Sequence, residues 1–451
     1  MKLIIGIDAD GVLTDMSAFN IREGKKHLKK EPVDINGYGP CDIFGISKKE
    51  EFKLGLKIFP KYINEEPPRK YVPEIIRELN EQGHELHEIT ARKFATENNV
   101  FGVYSRFAFD RWLKKHNMHF ESIQYCSESN SPIEKYIACS KLSVDVMIED
   151  KAEVAMYLAE HGVKVILIDA PYNQNINHPN IVRVYNWLEV RDVIKRIEER
   201  KTEPQEYKPI SREEKQNQTP EERKEYIKSY RSYLKNLEFN KKIFIKNGKK
   251  YRTIYRLIKL PLSLMCKMKV EGLENVPYQD GFIMASNHLN SKDQYYIGNA
   301  IGARRFCGLA ASTIKNTFRG RLFSFTGEAV YVDRTDPESK KMAEEELCKK
   351  IINGTTALIF PEGTRKNKTE EGKEKLQLPF KLGTVAIAQK TGSAIIPMSL
   401  YYGKEKYLKI SEPIVIKPED DIIEANKKLE EIVLKMTKKS IEEDNQIKRG
   451  K

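Results

Sequence analysis

The chain has 451 residues, of which 40% are hydrophobic and 32% are charged, and its formal net charge is +13. This length exceeds one ordinary hydrophobic core, and the composition excludes a chain that is disordered throughout, so we expect two globular domains and a connector. The six cysteines are scattered without a CxxC pair, which argues against a zinc site or a disulfide framework.

Residues 1–200 alternate short buried strands with helices. The predicted strands are residues 3–7, 85–90, 144–148 and 163–168, and the predicted helices include 75–82 and 152–161. Such alternation is typical of a parallel, doubly wound α/β sheet, in which ligands bind at the carboxyl ends of the strands. Residues 17–75 interrupt the alternation and are predicted to form a helical cap over that edge.

Polar residues stand at or just after three of these strand ends. Residues 8–15 read DADGVLTD, Thr90 ends the second strand, and Asp150 follows the third. Asp8 and Asp10 lie two residues apart and so face the same side, where two carboxylates can hold one Mg²⁺ ion. An aspartate can also attack phosphorus while a neighbouring acid protonates the leaving oxygen. The pattern therefore predicts metal-dependent phosphoryl transfer.

Four segments, in this order, resemble the motifs of the haloacid dehalogenase superfamily of phosphatases. They are DADGVLTD at 8–15, EITAR at 88–92, SPIEK at 131–135 and IED at 148–150. The resemblance covers roughly residues 1–195 and looks most like the 5′-nucleotidase-like branch.

This resemblance implies roles for individual residues. Asp8 would be the nucleophile and Asp10 the general acid and base. The phosphate would be held by Thr90 and Lys135, and Mg²⁺ by Asp8, Asp10, Asp150 and Glu149. Lys141 is a rival for the lysine role, and Arg92 is either a substrate contact or one half of a salt bridge.

Residues 201–250 are predicted to form a charged helical linker that leads into the second domain. Residues 228–269 hold thirteen Lys and Arg and one acid, nearly the whole excess of positive charge. Residues 252–265 mix aliphatic and basic residues at helical spacing, which predicts an amphipathic helix at a bilayer surface. The alternative is a core helix whose lysines are merely solvated.

The partner of this basic stretch is therefore expected to be a lipid surface. We expect no nucleic-acid partner, because no stacking or groove-reading motif accompanies the charge. The longest uncharged run there, residues 260–266, is far shorter than a spanning helix. We expect a cytoplasmic protein that is peripherally associated with the inner face of the cell membrane.

Residues 251–418 again alternate strands and helices, which predicts a second α/β domain entered by the basic helix. A charged C-terminal helix with a frayed end is expected over 419–451. The candidate site is NHLNSKD at residues 287–293, where His288 and Asp293 are five apart. If a strand ends just before them, the carboxylate can fold onto the imidazole and fix its tautomer. The histidine could then deprotonate a substrate hydroxyl directly.

The same region resembles the glycerolipid acyltransferase family over about residues 250–418. The matching blocks are NHLNSKD at 287–293, GEAVYVDR at 327–334, FPEGTR at 360–365 and IPM at 396–398. Members of this family acylate glycerol-3-phosphate or 1-acyl-glycerol-3-phosphate, with coenzyme A or acyl carrier protein as the acyl carrier. Residues 310–315 depart from the family pattern, which leaves the choice of acceptor open.

The resemblance again implies roles. His288 would be the general base and Asp293 the residue that orients it. The acceptor phosphate would be bound by Arg334, Gly363, Thr364 and Arg365, with Glu362 positioning the pocket. Arginine is suited to this task because its planar fork matches phosphate oxygens two at a time.

Three interpretations of the whole chain follow. The one we favour is a bifunctional enzyme, an acyltransferase that forms phosphatidate joined to a Mg²⁺-dependent phosphatase. The second is an acyltransferase whose N-terminal domain only binds a phosphorylated ligand or regulates. The third is a membrane-associated scaffold with two inactive sites. The intact candidate residues of both motif sets argue against the second and third interpretations.

Overall fold

Two separate β-sheets organise the chain, one in each of two units, Met1–Glu203 and Pro204–Lys451. The computed structural model describes residues 2–449, apart from 202–205, 240, 303, 318–319, 322–323, 325–328 and 371–373. Both units are α/β, as predicted.

The sheet of the first unit is parallel throughout. Its strands are β1 (Ile4–Ile7), β2 (Glu85–Thr90), β3 (Ser122–Tyr125), β4 (Val146–Glu149), β5 (Lys164–Ile168) and β6 (Ile181–Val184). They lie in the order β3-β2-β1-β4-β5-β6, which confirms the doubly wound sheet. The sequence did not predict β3 and β6, because these edge strands are only partly buried and lack a continuous apolar run.

The helices of the first unit divide into a cap and the layers against the sheet. They are α1 (Met16–Leu28), α2 (Pro40–Phe44), α3 (Lys48–Glu65), α4 (Val72–Glu81), α5 (Val100–Lys115), α6 (Ser131–Leu142), α7 (Ala152–Glu160) and α8 (Trp187–Glu199). Helices α1 to α3 share a core cluster around Phe19, Phe44 and Tyr62, which Ala108 of α5 also joins. The expected cap end at residue 75 falls inside α4, which packs on β2 and α8 through its buried apolar stripe.

The sheet of the second unit has seven strands among its described residues. They are β7 (Lys269–Glu271), β8 (Ile283–Ser286), β9 (Phe306–Ala311), β10 (Ala329–Val332), β11 (Thr356–Ile359), β12 (Ile395–Tyr402) and β13 (Lys406–Ile410). Their order is β10-β9-β11-β8-β12-β13-β7, and the β12–β13 hairpin is the antiparallel pairing. The central β8 and β11 are buried on both faces, as expected where helices cover both sides of a sheet.

Helices cover both faces of this second sheet. They are α9 (Arg212–Gln216), α10 (Pro220–Asn236), α11 (Lys241–Met265), α12 (Asp293–Ala300), α13 (Pro337–Ile352), α14 (Gly383–Thr391) and α15 (Ile422–Arg449). One core cluster joins α10, α13, α14 and α15 to alternate residues of the strands, which face one side of the sheet. Another joins α12 and the end of α11 to the intervening strand residues, which face the other side.

The segments expected to be a linker (201–250) and a charged tail (419–451) contribute helices to the core of the second unit. Tyr230 and Leu234 of α10 are only 4% and 3% exposed, and Leu429 and Val433 of α15 are fully buried in the same core cluster. Both helices are strongly charged on average, but each carries a narrow apolar stripe that covers the sheet. The described part of α15 also extends to Arg449, beyond the expected frayed end at 446.

Helix α11 crosses the expected boundary at residue 251 without a break. Several of its apolar side chains face outward, with Leu257 75%, Leu260 71% and Met265 68% exposed. Most of the helix is therefore not the buried core element of the alternative interpretation, although Leu262 packs against the second core cluster. Among the described residues, no helix is long and apolar enough to cross a membrane.

Candidate active sites

The site of the first unit forms where β1 and β4 end side by side. Ile7 pairs with Ile148, and the amide of Asp8 extends this ladder by donating to the Ile148 carbonyl at 3.0 Å. The side chains of Asp8, Glu149 and Asp150 are therefore brought together, with one carboxylate oxygen of each within 4.8 Å of the others, and all three residues are buried.

One buried cation lies in this group. The Lys135 ammonium on α6 is 3.0 Å from Asp8 Oδ1 and 2.7 Å from Glu149 Oε2. The structure thus places Lys135 at the carboxylates, whereas its rival Lys141 is six residues further along the helix. Burial raises the pKa of Asp8 to about 7 even though Lys135 lowers it, and burial also raises the pKa of Asp150.

Lys135→Met is expected to destabilise the first unit by about 3–5 kcal/mol, because it leaves the buried carboxylates without their cation. The change can be followed by urea unfolding with tryptophan fluorescence, since both tryptophans, Trp112 and Trp187, are buried in this unit. Lys141→Met on the same helix is the matched control and should shift the midpoint far less. Equal shifts in the two variants would contradict the assignment of Lys135.

Oxygen atoms suited to a hard cation remain in the cluster. Asp150 Oδ1 is buried and has no hydrogen-bond partner among the described residues, while Tyr172 donates to Asp150 Oδ2. Gly11 has φ +89°, and a Cβ there would lie 1.9 Å from Asp150 Oδ2, so only glycine leaves the carboxylate in place. Three carboxylates against one ammonium leave an excess of negative charge, which fits a divalent metal such as Mg²⁺.

The Asp10 carboxylate is held outside this cluster. Its Oδ1 is 2.8 Å from Arg92 Nη2 and accepts a hydrogen bond of 3.0 Å from the Tyr62 hydroxyl of the cap. The sequence predicts Asp10 as a further metal ligand, and in the structure its side chain contacts a guanidinium and a hydroxyl. Arg92 is therefore half of a salt bridge, and Tyr62, which also pairs with Thr14 at 2.6 Å, joins the cap to the site.

Thr90 is the last residue of β2, the strand that pairs with β1. Its hydroxyl is buried and has no hydrogen-bond partner within the part of the chain that the structure describes. A buried hydroxyl that is left unpaired costs free energy unless a ligand completes it. The position is consistent with the predicted contact to a phosphate oxygen.

The site of the second unit is built around a buried carboxylate. Asp293 is 0% exposed, and its Oδ2 lies 2.8 Å from His288 Nδ1. The same oxygen accepts the backbone amides of Leu289 at 2.7 Å and Asn290 at 2.9 Å, and Oδ1 accepts the Tyr402 hydroxyl at 2.9 Å. Because the carboxylate occupies Nδ1, Nε2 is the ring nitrogen that can take a proton.

The FPEGTR segment fixes His288 from the other side. The Phe360 ring stacks on the imidazole with centroids 4.0 Å apart, and Glu362 Oε1 accepts the His288 amide at 3.1 Å. The amide of Lys366 donates back to the His288 carbonyl at 2.8 Å. Burial raises the pKa of Glu362 to about 7, although its bonds from backbone amides lower it. Glu362 thus positions the histidine loop.

Cationic groups gather at Gly363. The Arg334 guanidinium donates to the Gly363 carbonyl, and Arg365 follows two residues later. Gly363 has φ +71°, and a Cβ there would lie 2.7 Å from the Lys381 ammonium. Thr364 and Arg365 are half-buried, and Arg365 forms no ion pair with the residues that the structure describes. The first two residues of the second sequence block, Gly327 and Glu328, lie outside the described residues.

Several residues of this site had no assigned role in the sequence. Asn287 and Phe360 lie inside two of the sequence blocks, and that position is a signal that could have marked them as site residues. Asn287 exchanges two hydrogen bonds with the backbone of Leu400. Lys381 lies outside the four sequence blocks. Tyr402 carried no signal, because it lies 109 residues from the carboxylate that it contacts.

Comparison with known proteins distinguishes the two units. Residues 267–401 match the Acyltransferase family model. A 1-acyl-sn-glycerol-3-phosphate acyltransferase of Borreliella burgdorferi is 29% identical over 153 residues, which cover 34% of this chain and 58% of that protein. A solved 1-acyl-sn-glycerophosphate acyltransferase of Thermotoga maritima is 26% identical, with TM-score 0.31, and the match covers 49% of this chain and 81% of that one.

The first unit matches other proteins. A nucleotidase of Clostridium acetobutylicum is 28% identical over 201 residues, which cover 44% of this chain and 97% of that protein. The two matches fall on different halves of the sequence, which confirms the fusion inferred from the motifs. The first unit is therefore similar to nucleotidases, and the second, in which residues 267–401 match the Acyltransferase family model, is similar to 1-acyl-sn-glycerol-3-phosphate acyltransferases.

Proposed function

We propose that the chain is a bifunctional enzyme. The acyltransferase domain transfers an acyl group to the hydroxyl of a glycerophosphate acceptor, most simply 1-acyl-glycerol-3-phosphate, to give phosphatidate. The phosphatase domain hydrolyses a phosphomonoester with the help of Mg²⁺. The observation that carries the first activity is the His288–Asp293 pair at 2.8 Å. Glu362 joins this pair to the segment around Gly363, where Arg334 and Lys381 lie.

In acyl transfer, His288 Nε2 takes the proton of the acceptor hydroxyl as its oxygen attacks the thioester carbonyl of acyl-coenzyme A or acyl carrier protein. The carbon–sulfur bond breaks, and the thiolate leaves and is protonated. Asp293 stabilises the imidazolium that forms, because its carboxylate is buried and already oriented by Tyr402 and two amides. Arg334, Thr364, Arg365 and Lys381 would hold the acceptor phosphate.

In phosphate hydrolysis, Asp8 attacks phosphorus and the bond to the leaving oxygen breaks. Asp10 protonates that oxygen and then takes a proton from the water that attacks the aspartyl-phosphate. Thr90 and Lys135 would contact the phosphate oxygens, and Arg92 and Tyr62 hold Asp10 in place. Mg²⁺ would be held by Asp8 and Asp150, with Glu149 beside them, and would neutralise charge on the phosphoryl group.

The direct test is acyl transfer by the purified full chain. Acyl-coenzyme A and acyl carrier protein are each offered with glycerol-3-phosphate, 1-acyl-glycerol-3-phosphate and other lysophospholipids. We expect faster transfer to 1-acyl-glycerol-3-phosphate than to lysophospholipids whose phosphate is a diester, because Arg334 and Lys381 lie at Gly363, where a phosphomonoester dianion would bind. Transfer to none of these acceptors would contradict the proposed acceptor class.

The exposed apolar and basic residues of α11 support peripheral attachment to the anionic inner face of the cell membrane. Replacing Leu257 and Leu260 by serine is expected to weaken sedimentation with phosphatidylglycerol-containing vesicles by about tenfold or more, because both side chains would lose burial in the interface. Ile423→Ser is the matched control, since Ile423 is 47% exposed on another helix of the same unit. Unchanged vesicle binding in the double variant would rule out α11 as the attachment site.

A further inference from the structure

The first unit presents a large apolar face to solvent. It lies on two helices that pack together, α3 of the cap and α5. Its members are Phe52 at 53%, Leu56 at 47%, Val100 at 82%, Phe101 at 57%, Val103 at 60%, Tyr104 at 41% and Phe107 at 62% exposure. We call this set the aromatic face. A concentration of large exposed apolar side chains on two packed helices marks a binding surface rather than scattered surface residues.

The segment that follows Arg92 contacts both helices of the aromatic face. Phe94 follows Arg92, the residue whose guanidinium is 2.8 Å from Asp10, by two positions. The Phe94 ring lies 5.3 Å from that of Phe59 on α3 and 5.9 Å from that of Phe101 on α5. The segment that follows Arg92 is therefore packed against both helices that carry the aromatic face.

The charge around this face is positive. Helices α3 and α5 together contain nine Lys and Arg against four Asp and Glu, a net charge of +5. Exposed aromatic rings among basic side chains are the composition that binds an anionic bilayer interface. On such a surface, basic side chains contact the lipid headgroups while aromatic rings enter the acyl boundary.

We propose that the phosphatase site hydrolyses a phosphomonoester lipid, presented by an anionic bilayer that docks on the aromatic face. This inference rests on the proposed phosphatase activity and names its substrate class. The acyltransferase domain is proposed to form phosphatidate, which carries the phosphomonoester that the other site would cleave. The two activities then act in sequence on one lipid.

The reaction balances without a further reactant. The Asp8 carboxylate forms a bond to phosphorus, and the bond from phosphorus to the glycerol oxygen breaks. That oxygen takes the Asp10 proton to give diacylglycerol. Water then attacks the aspartyl-phosphate, releases inorganic phosphate and returns a proton to Asp10.

A water-soluble substrate would leave the aromatic face without a partner. Nucleotidases are among the relatives of this domain, so a nucleoside monophosphate is the competing substrate to be measured. A second copy of the chain is the competing occupant of the surface. Neither accounts for the net positive charge of the two helices that carry the face.

The experiment measures inorganic phosphate released by the full chain with Mg²⁺. The substrates are dioleoyl-phosphatidate in phosphatidylglycerol-containing vesicles, glycerol-3-phosphate, adenosine 5′-monophosphate and para-nitrophenyl phosphate. We expect kcat/KM to be highest for phosphatidate. In the Val103→Ser/Phe107→Ser variant, the ratio of phosphatidate to para-nitrophenyl phosphate hydrolysis should fall by about tenfold or more. Tyr185→Ser, 67% exposed after β6, is the matched control and should keep the wild-type ratio.

The outcomes separate the inference from the proposed function. Hydrolysis of the soluble esters but not of phosphatidate would overturn the lipid assignment and leave the phosphatase intact. A higher kcat/KM for the nucleotide would overturn it as well. No hydrolysis of any ester would instead refute the phosphatase. If light scattering shows that the double variant changes a dimer to a monomer without altering the ratio, the aromatic face is a subunit interface and the inference fails.

Discussion

His288→Ala is expected to lower kcat/KM for acyl transfer by about 10²–10⁴-fold, because it removes the general base, and to leave phosphate release unchanged. No other side chain can readily replace it, since His288 is the one histidine in the sequence after residue 203. Its nearest polar partner, Asp293, is fully buried and committed to four hydrogen bonds. Acyl transfer and phosphate release are measured on the same preparation.

Two further variants test how Asp293 and Tyr402 hold the histidine in its reactive tautomer. Asp293→Asn keeps the shape of the side chain but can offer its amide to Nδ1, which favours the wrong tautomer and should cost nearly as much as loss of the base. Tyr402→Phe removes one hydrogen bond to the carboxylate and should cost about tenfold or less. Equal loss of both activities in His288→Ala would refute two independent sites.

Asp8→Asn is expected to abolish Mg²⁺-dependent phosphate release, while acyl transfer continues at the wild-type rate. An amide is a poor nucleophile, so the aspartyl-phosphate cannot form, and a rate loss of about 10³-fold or more should follow. Replacing the carboxylate also removes one charge from the Asp8, Glu149 and Asp150 cluster. The stabilisation of the first unit by Mg²⁺ should therefore shrink, as read by tryptophan fluorescence.

Asp192→Asn is the matched control for this change, because Asp192 is a largely exposed carboxylate on α8 of the same unit. Asp192→Asn should leave both the rate of phosphate release and the stabilisation of the first unit by Mg²⁺ unchanged. If Asp8→Asn still hydrolyses phosphomonoesters with Mg²⁺, the nucleophile is another group. If the wild-type chain binds Mg²⁺ and phosphate but releases none from any ester, the first domain is a binding or regulatory module.

The sequence by itself determined the features that local patterns of residues encode. The four central strands of the first sheet follow from short apolar runs, and strand ends at Asp8, Thr90 and Asp150 place those residues at one edge of a parallel sheet. Similarly, the close spacing of His288 and Asp293 was enough to predict their contact. In each case the residues are close together in the chain, or their positions follow from the regular repeat of a strand.

Only the tertiary structure decided the partners that come from elsewhere. The Asp10 carboxylate contacts Arg92 and Tyr62, and the Tyr402 hydroxyl contacts Asp293, 109 residues away in the chain. The role of α10 and α15 as core helices was equally hidden, because burial depends on which face meets the sheet and not on mean composition. The aromatic face arises in the same way, from α3 and α5 packing side by side, since contacts between distant segments leave no periodic signal in the sequence.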